Sequence, residues 1–93
     1  MTDLPPKPVA VDGAKLRLYR MARLAVWLGE VGGATLEKVR AFMTLNFGLR
    51  ARTTKMILKD MLNARILQYN GPKLQLTKDG EKWLQLLRKE GEF

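Results

Sequence analysis

Between residues 50 and 63 the chain sets Arg50, Arg52, Lys55 and Lys59 against a single acid, Asp60, with Thr53, Met56 and Asn63 interleaved. These residue types suit contact with a polyanion. Lysine ammonium groups neutralise phosphates, and an arginine fork grips either a phosphate or the guanine edge, where it is the commonest specific reader. Lys55 and Lys59 stand one helical turn apart, as phosphate contacts would. Met56 on the same side could meet a thymine methyl, or be covered by the N-terminal segment. Thr53 suits a capping hydroxyl, and Asn63 could reach a base or simply be exposed at the helix end. The opposite face carries Thr54, Ile57, Leu58, Met61 and Leu62, so the segment reads as one amphipathic helix.

The charge of the rest of the chain points the same way. The net charge is +8 over 93 residues. The excess lies on residues 15–28, with Lys15, Arg17, Arg20 and Arg23, and on residues 49–67, whereas the tail from Thr77 onward balances four bases with four acids. Surplus base for solubility is the plainer explanation, but it does not account for the segregation. A basic amphipathic first helix resting on a membrane surface would leave the second basic segment unexplained.

Other chemistry is poorly supplied. The chain has no cysteine and no histidine, which removes disulfides, thiolate sites and the commonest general base and metal ligand. Its nine acids are scattered, and neither a glycine-rich phosphate loop nor a nucleophile elbow is present. No enzyme, cofactor, metal or small-molecule ligand is expected. No apolar run approaches the ~20 residues that span a bilayer. "MTDLPPKPVAVDG" is acidic and proline-rich rather than basic then apolar, so an intracellular location is expected.

The elements that must position the basic helix follow from punctuation. Residues 1–11, with Pro5, Pro6 and Pro8, read as a flexible arm, and 12–93 as one domain. A first helix is expected from an Asp12 N-cap to Gly29 or Gly32–Gly33, burying Leu18, Met21, Ala22, Ala25 and Leu28. Arg20 and Arg23 lie on its other side. Arg17, Arg20 and Arg23 are free to touch a flanking phosphate backbone if the helix lies along the duplex, and Trp27 lies off the stripe. Thr35 caps a second helix that runs to about Thr44 or Leu45 before an "LNFG" turn. After the basic helix, two β-like runs flank Asn70-Gly71, a strong hairpin signal. Leu74 and Leu76 alternate with polar residues, then Thr77 caps a last helix over about 78–89. Gly80 in its first turn is a poor helix former, and reads as a close-packing position.

These residues resemble winged helix-turn-helix transcription regulators over roughly residues 15 to 88. "ATLEKV" is similar to the start of their second helix, "RTTKMILKDMLNARIL" to their recognition helix, and "LQLTKDGEKWL" to the segment leaving their wing. Small archaeal and archaeal-virus members are similar in length and layout. The resemblance implies a mainly α (α+β) fold, with a three-helix core, a two-stranded β-hairpin wing and a C-terminal helix. It also implies that Thr53 contacts phosphate at the helix start. Two departures stand out. Arg65 replaces the usual glycine after the recognition helix, losing an easy left-handed stop, so the joint there is expected to differ. The wing is short, with Lys73 as its only base, so its contact with phosphate is expected to be minor.

The last helix carries more apolar residues than one narrow stripe needs. Trp83, Leu86 and Leu87 would form a homodimer interface, unless Trp83 folds back toward Trp27. The resulting expectation is a homodimeric, sequence-specific double-stranded DNA-binding regulator of transcription. Residues 52–63 would enter the major groove, with half-sites ~34 Å apart. The alternatives are a winged-helix protein–protein interaction module of a transcription or replication assembly, and an architectural DNA binder without sequence preference.

Overall fold

The computed structural model describes residues 13–91. The proline-rich arm and the expected Asp12 cap lie outside them. Helix α1 (Gly13–Val31) is followed by β1 (Ala34–Thr35), α2 (Leu36–Phe47), α3 (Ala51–Asn63), β2 (Leu67–Asn70), β3 (Lys73–Leu76) and α4 (Lys78–Lys89). The fold is mainly helical with one small antiparallel sheet in the order β1-β3-β2.

The first helix buries Ala22, Leu24, Ala25 and Leu28. Leu24 is fully buried, while Leu18 and Met21 are only half-buried. The wider buried arc arises because α1 packs against α2, α3, α4 and β3. Trp27 leaves that stripe to stack on Phe42 of α2, at a centroid distance of 4.5 Å and 15° between planes. Thr35 caps α2 as expected, accepting from the Lys38 amide at 3.5 Å. The helix runs two to three residues further than its sequence punctuation suggests, through Asn46 and Phe47. It stops only at Gly48, in the left-handed region at φ 66°. Phe47 packs edge-on against Phe42 and Tyr19, so burial of its ring carries the helix past the expected turn.

The sheet differs from the expected two-stranded wing in having a third member. Ala34 and Thr35, read as the approach to α2, pair with Leu74 and Lys73 of β3. Two residues are too few to show a period-2 pattern, so only the tertiary approach to β3 makes them a strand. The hairpin turn also shifts. Asn70 pairs with Lys73, which leaves Gly71 and Pro72 as the two turn residues. Gly71 has φ 61° and the proline ring holds φ near −65°, the positive-then-negative order of a type II′ turn. Pro72 lacks an N–H, and this register spares it from the ladder.

Arg65 adopts φ 62°, so the left-handed stop after α3 is kept rather than lost. Its amide donates to the Leu62 carbonyl at 3.0 Å, and the Ile66 amide to Met61 at 2.9 Å. That pair of bonds is a Schellman motif, normally built on glycine. The joint is held from outside by Thr77. Its hydroxyl donates to the Arg65 carbonyl at 2.5 Å, with the Ile66 carbonyl 3.1 Å away, and accepts from the Gly80 amide at 2.9 Å. The Thr77 amide donates to Ile66 at 3.0 Å. Gly80 lies against the same carbonyl: a Cβ there would sit 2.4 Å from the Ile66 oxygen and 2.6 Å from a Leu76 methyl.

On α4, Leu84 and Leu87 are buried, at 6% and 7% exposure, and Trp83 is half-buried against the core. The expected dimer face comprised Trp83, Leu86 and Leu87. Two of its three residues are used within the protomer, and Leu86 alone stays exposed, at 56%. Gly80, Leu84 and Leu87 form one buried stripe at i, i+4 and i+7, and α4 packs against α1.

Helix propensity alone favours Gly80→Ala by about 1 kcal/mol. The clash with backbone is larger, so this substitution is expected to lower stability by about 2 kcal/mol or more, read from urea unfolding. Arg65→Gly is expected to raise it by about 1 kcal/mol with an unchanged m-value, since it removes an L-residue from the left-handed region.

Candidate nucleic-acid interface

A three-residue link, Gly48 to Arg50, sets the direction of α3. Leu49 is buried in the core, and the Thr44 hydroxyl donates to its carbonyl at 2.8 Å. Arg50 is the N-cap in an extended conformation, with no side-chain capping bond. Its guanidinium is thus left exposed at a helix N-terminus that carries no acid in its first turn. The helix dipole and the unpaired first-turn amides make this end favourable to anions. Thr53 does not act as the cap. It is exposed, in the third position of the helix.

Burial of Thr54, Ile57, Leu58 and Met61 fixes the rotation of α3. Arg52, Lys55, Met56, Lys59 and Asn63 are consequently all exposed, with Met56 at 53%. The expected outer face is therefore brought together on one helix. Asp60, its only acid, is ion-paired with Arg17 of α1. A half-exposed pair of this kind contributes at most about 1 kcal/mol, but it cancels the negative charge at the edge of the face. It also occupies Arg17, expected to be free for a flanking backbone. Arg20 is half-buried beside α3, and only Arg23 of that trio stands fully exposed.

Two residues absent from the sequence reading join the site. Arg40 of α2 and Tyr69 of β2 line, with Lys55, Lys59 and Asn63, a groove of 390 Å³ whose floor is Leu36, Leu58 and Leu62. Arg40 could have been found as the base one turn after Leu36. Tyr69 could have been found as the lone aromatic among the polar residues of its strand. Lys73 stands apart, at the hairpin end opposite Asn70, and does not line this groove. Met56 and Thr53 face a second, smaller groove of 280 Å³ with Leu16 and Arg20 of α1.

Among the described residues, no group of three or more acids could hold a metal ion. No described helix is long and apolar enough to cross a membrane. No protein-family model, curated protein or solved structure matches the chain.

Because Asp60 and Arg17 cancel each other, Asp60→Asn removes the acid and releases a cation beside α3. The variant is expected to elute from a heparin column at higher salt than the native chain. Its stability is expected to change by less than about 1 kcal/mol.

Proposed function

We propose that this chain binds double-stranded DNA through the outer face of α3, as a sequence-specific regulator of transcription. The observation that carries the reading is the composition of that face. Arg52, Lys55 and Lys59 are exposed together, Arg50 stands at the helix N-terminus, and the one acid is closed off by Arg17. A merely solvated helix would mix the signs of its charges.

The placement of α3 supports the same reading. It follows α2 after a short link and precedes an antiparallel hairpin, which is the layout of a winged helix-turn-helix. In such a layout α3 enters the major groove. Arg50 and Thr53 then lie near phosphates at its start, and Lys55 and Lys59 near the backbone along its length. Arg52, Met56 and Asn63 are the candidates for base edges. Tyr69 and Arg40 extend the contact to one side.

Phosphate neutralisation would supply much of the affinity. Affinity for duplex DNA is expected to fall steeply as salt rises. The triple substitution Arg52→Ala, Lys55→Ala and Lys59→Ala is expected to weaken binding about 100-fold at low salt, and to flatten the salt slope by about two to three units. All three side chains are exposed, so the variant is expected to keep its thermal unfolding midpoint. Native affinity that is weak at low salt and insensitive to salt would rule the proposal out.

A further inference from the structure

The groove between α2, α3 and β2 is a poor match for phosphate along its floor. Leu36, Leu58 and Leu62 form that floor, and Tyr69, 55% exposed, lies on its β2 side. A duplex offers hydrated phosphates and polar base edges, which gain little from three leucines. The rim is of opposite character. Arg40 stands on one side, Lys55 and Lys59 on the other, and no acid lines the groove.

We infer that this groove is a docking site for an acidic amphipathic helix of a protein partner. Two features argue for this occupant. First, the residues repeat at helical spacing on both walls: Leu36 and Arg40 on α2, and Lys55 with Lys59 and Leu58 with Leu62 on α3. They leave a trough between helical ridges, the shape into which a third helix lays an apolar stripe of period i, i+3, i+4, i+7. Second, the charge is complementary. Leucine or phenylalanine side chains would cover the floor and Tyr69, while Glu or Asp on the flanks of the stripe would meet Arg40, Lys55 and Lys59. Apolar burial supplies the affinity, and the charges supply orientation and rate of association.

The test uses the full chain and a synthetic peptide of roughly 15 residues, with leucines at i, i+3, i+4 and i+7 and glutamates beside them. A control peptide of identical composition has its leucines moved off the helical period. Fluorescence anisotropy at physiological salt is expected to show the patterned peptide binding about tenfold more tightly than the control. Tyr69→Ser is expected to weaken the patterned peptide about fivefold and leave the control unchanged. Lys55→Glu is expected to weaken both. Amide shifts on titration are expected to centre on Leu36, Leu62 and Tyr69. Equal affinity for the two peptides would mean attraction by charge alone and overturns the inference. So does an indifferent Tyr69→Ser variant, or a set of shifts centred on α1 or α4. Duplex DNA binding is measured separately without peptide, so failure here leaves the DNA reading standing, and the converse also holds.

Discussion

The Ile66 carbonyl is where this fold is held together. It accepts the Thr77 amide, lies within reach of the Thr77 hydroxyl, and leaves no room for a Cβ on residue 80. At that point the end of α3, the start of β2, the end of β3 and the first turn of α4 occupy nearly the same space. A side chain on residue 80 would push α4 off, and Leu84 and Leu87 would lose their place in the core. The same contact stabilises the left-handed Arg65, because Thr77 binds the carbonyl on the far side of that residue. A conformation costing an L-residue about 1–2 kcal/mol persists where the surroundings hold it from both sides.

The direction of α3 follows from this joint at one end and from the Thr44–Leu49 contact at the other. Between them, the buried side of the helix determines which residues face out. The basic outer surface is thus not stabilised by its own contacts. Four exposed cations close together repel one another mildly, and the hydrophobic side of α3 supplies the offsetting stability. The Arg17–Asp60 pair ties α1 to α3 and offsets the one acid of the outer α3 face.

Much of the architecture was legible because it depends on local chemistry. Thr35 and Thr77 are capping residues with an acceptor oxygen on a short side chain, and both cap. A glycine in the first turn of α4 is costly for a helix, so its presence signalled a close approach, and one is found. The 3.6-residue period of α3 separated its buried face from its basic one. What was not legible depends on distant partners. Ala34 and Thr35 become a strand only because β3 passes beside them. Trp83 was read as spare apolar surface, yet it packs partly against the core. Tyr69 and Arg40 joined the candidate site through the packing of β2 and α2 around α3, with no sequence spacing linking them.

By itself, the sequence determined the number and order of the helices, the hairpin, and the segregation of positive charge onto α1 and the region of α3. Those properties come from periodicity, capping and composition, which act over a few residues at a time. The tertiary structure alone decided that Arg65 would take the left-handed stop, that Arg17 would be consumed by Asp60, and that a leucine-floored groove would open beside the cations. Each of these joins residues far apart in the chain, 43 positions in the case of Arg17 and Asp60. Their distances are set by how the helices pack, and packing is a property of the whole core rather than of any one segment.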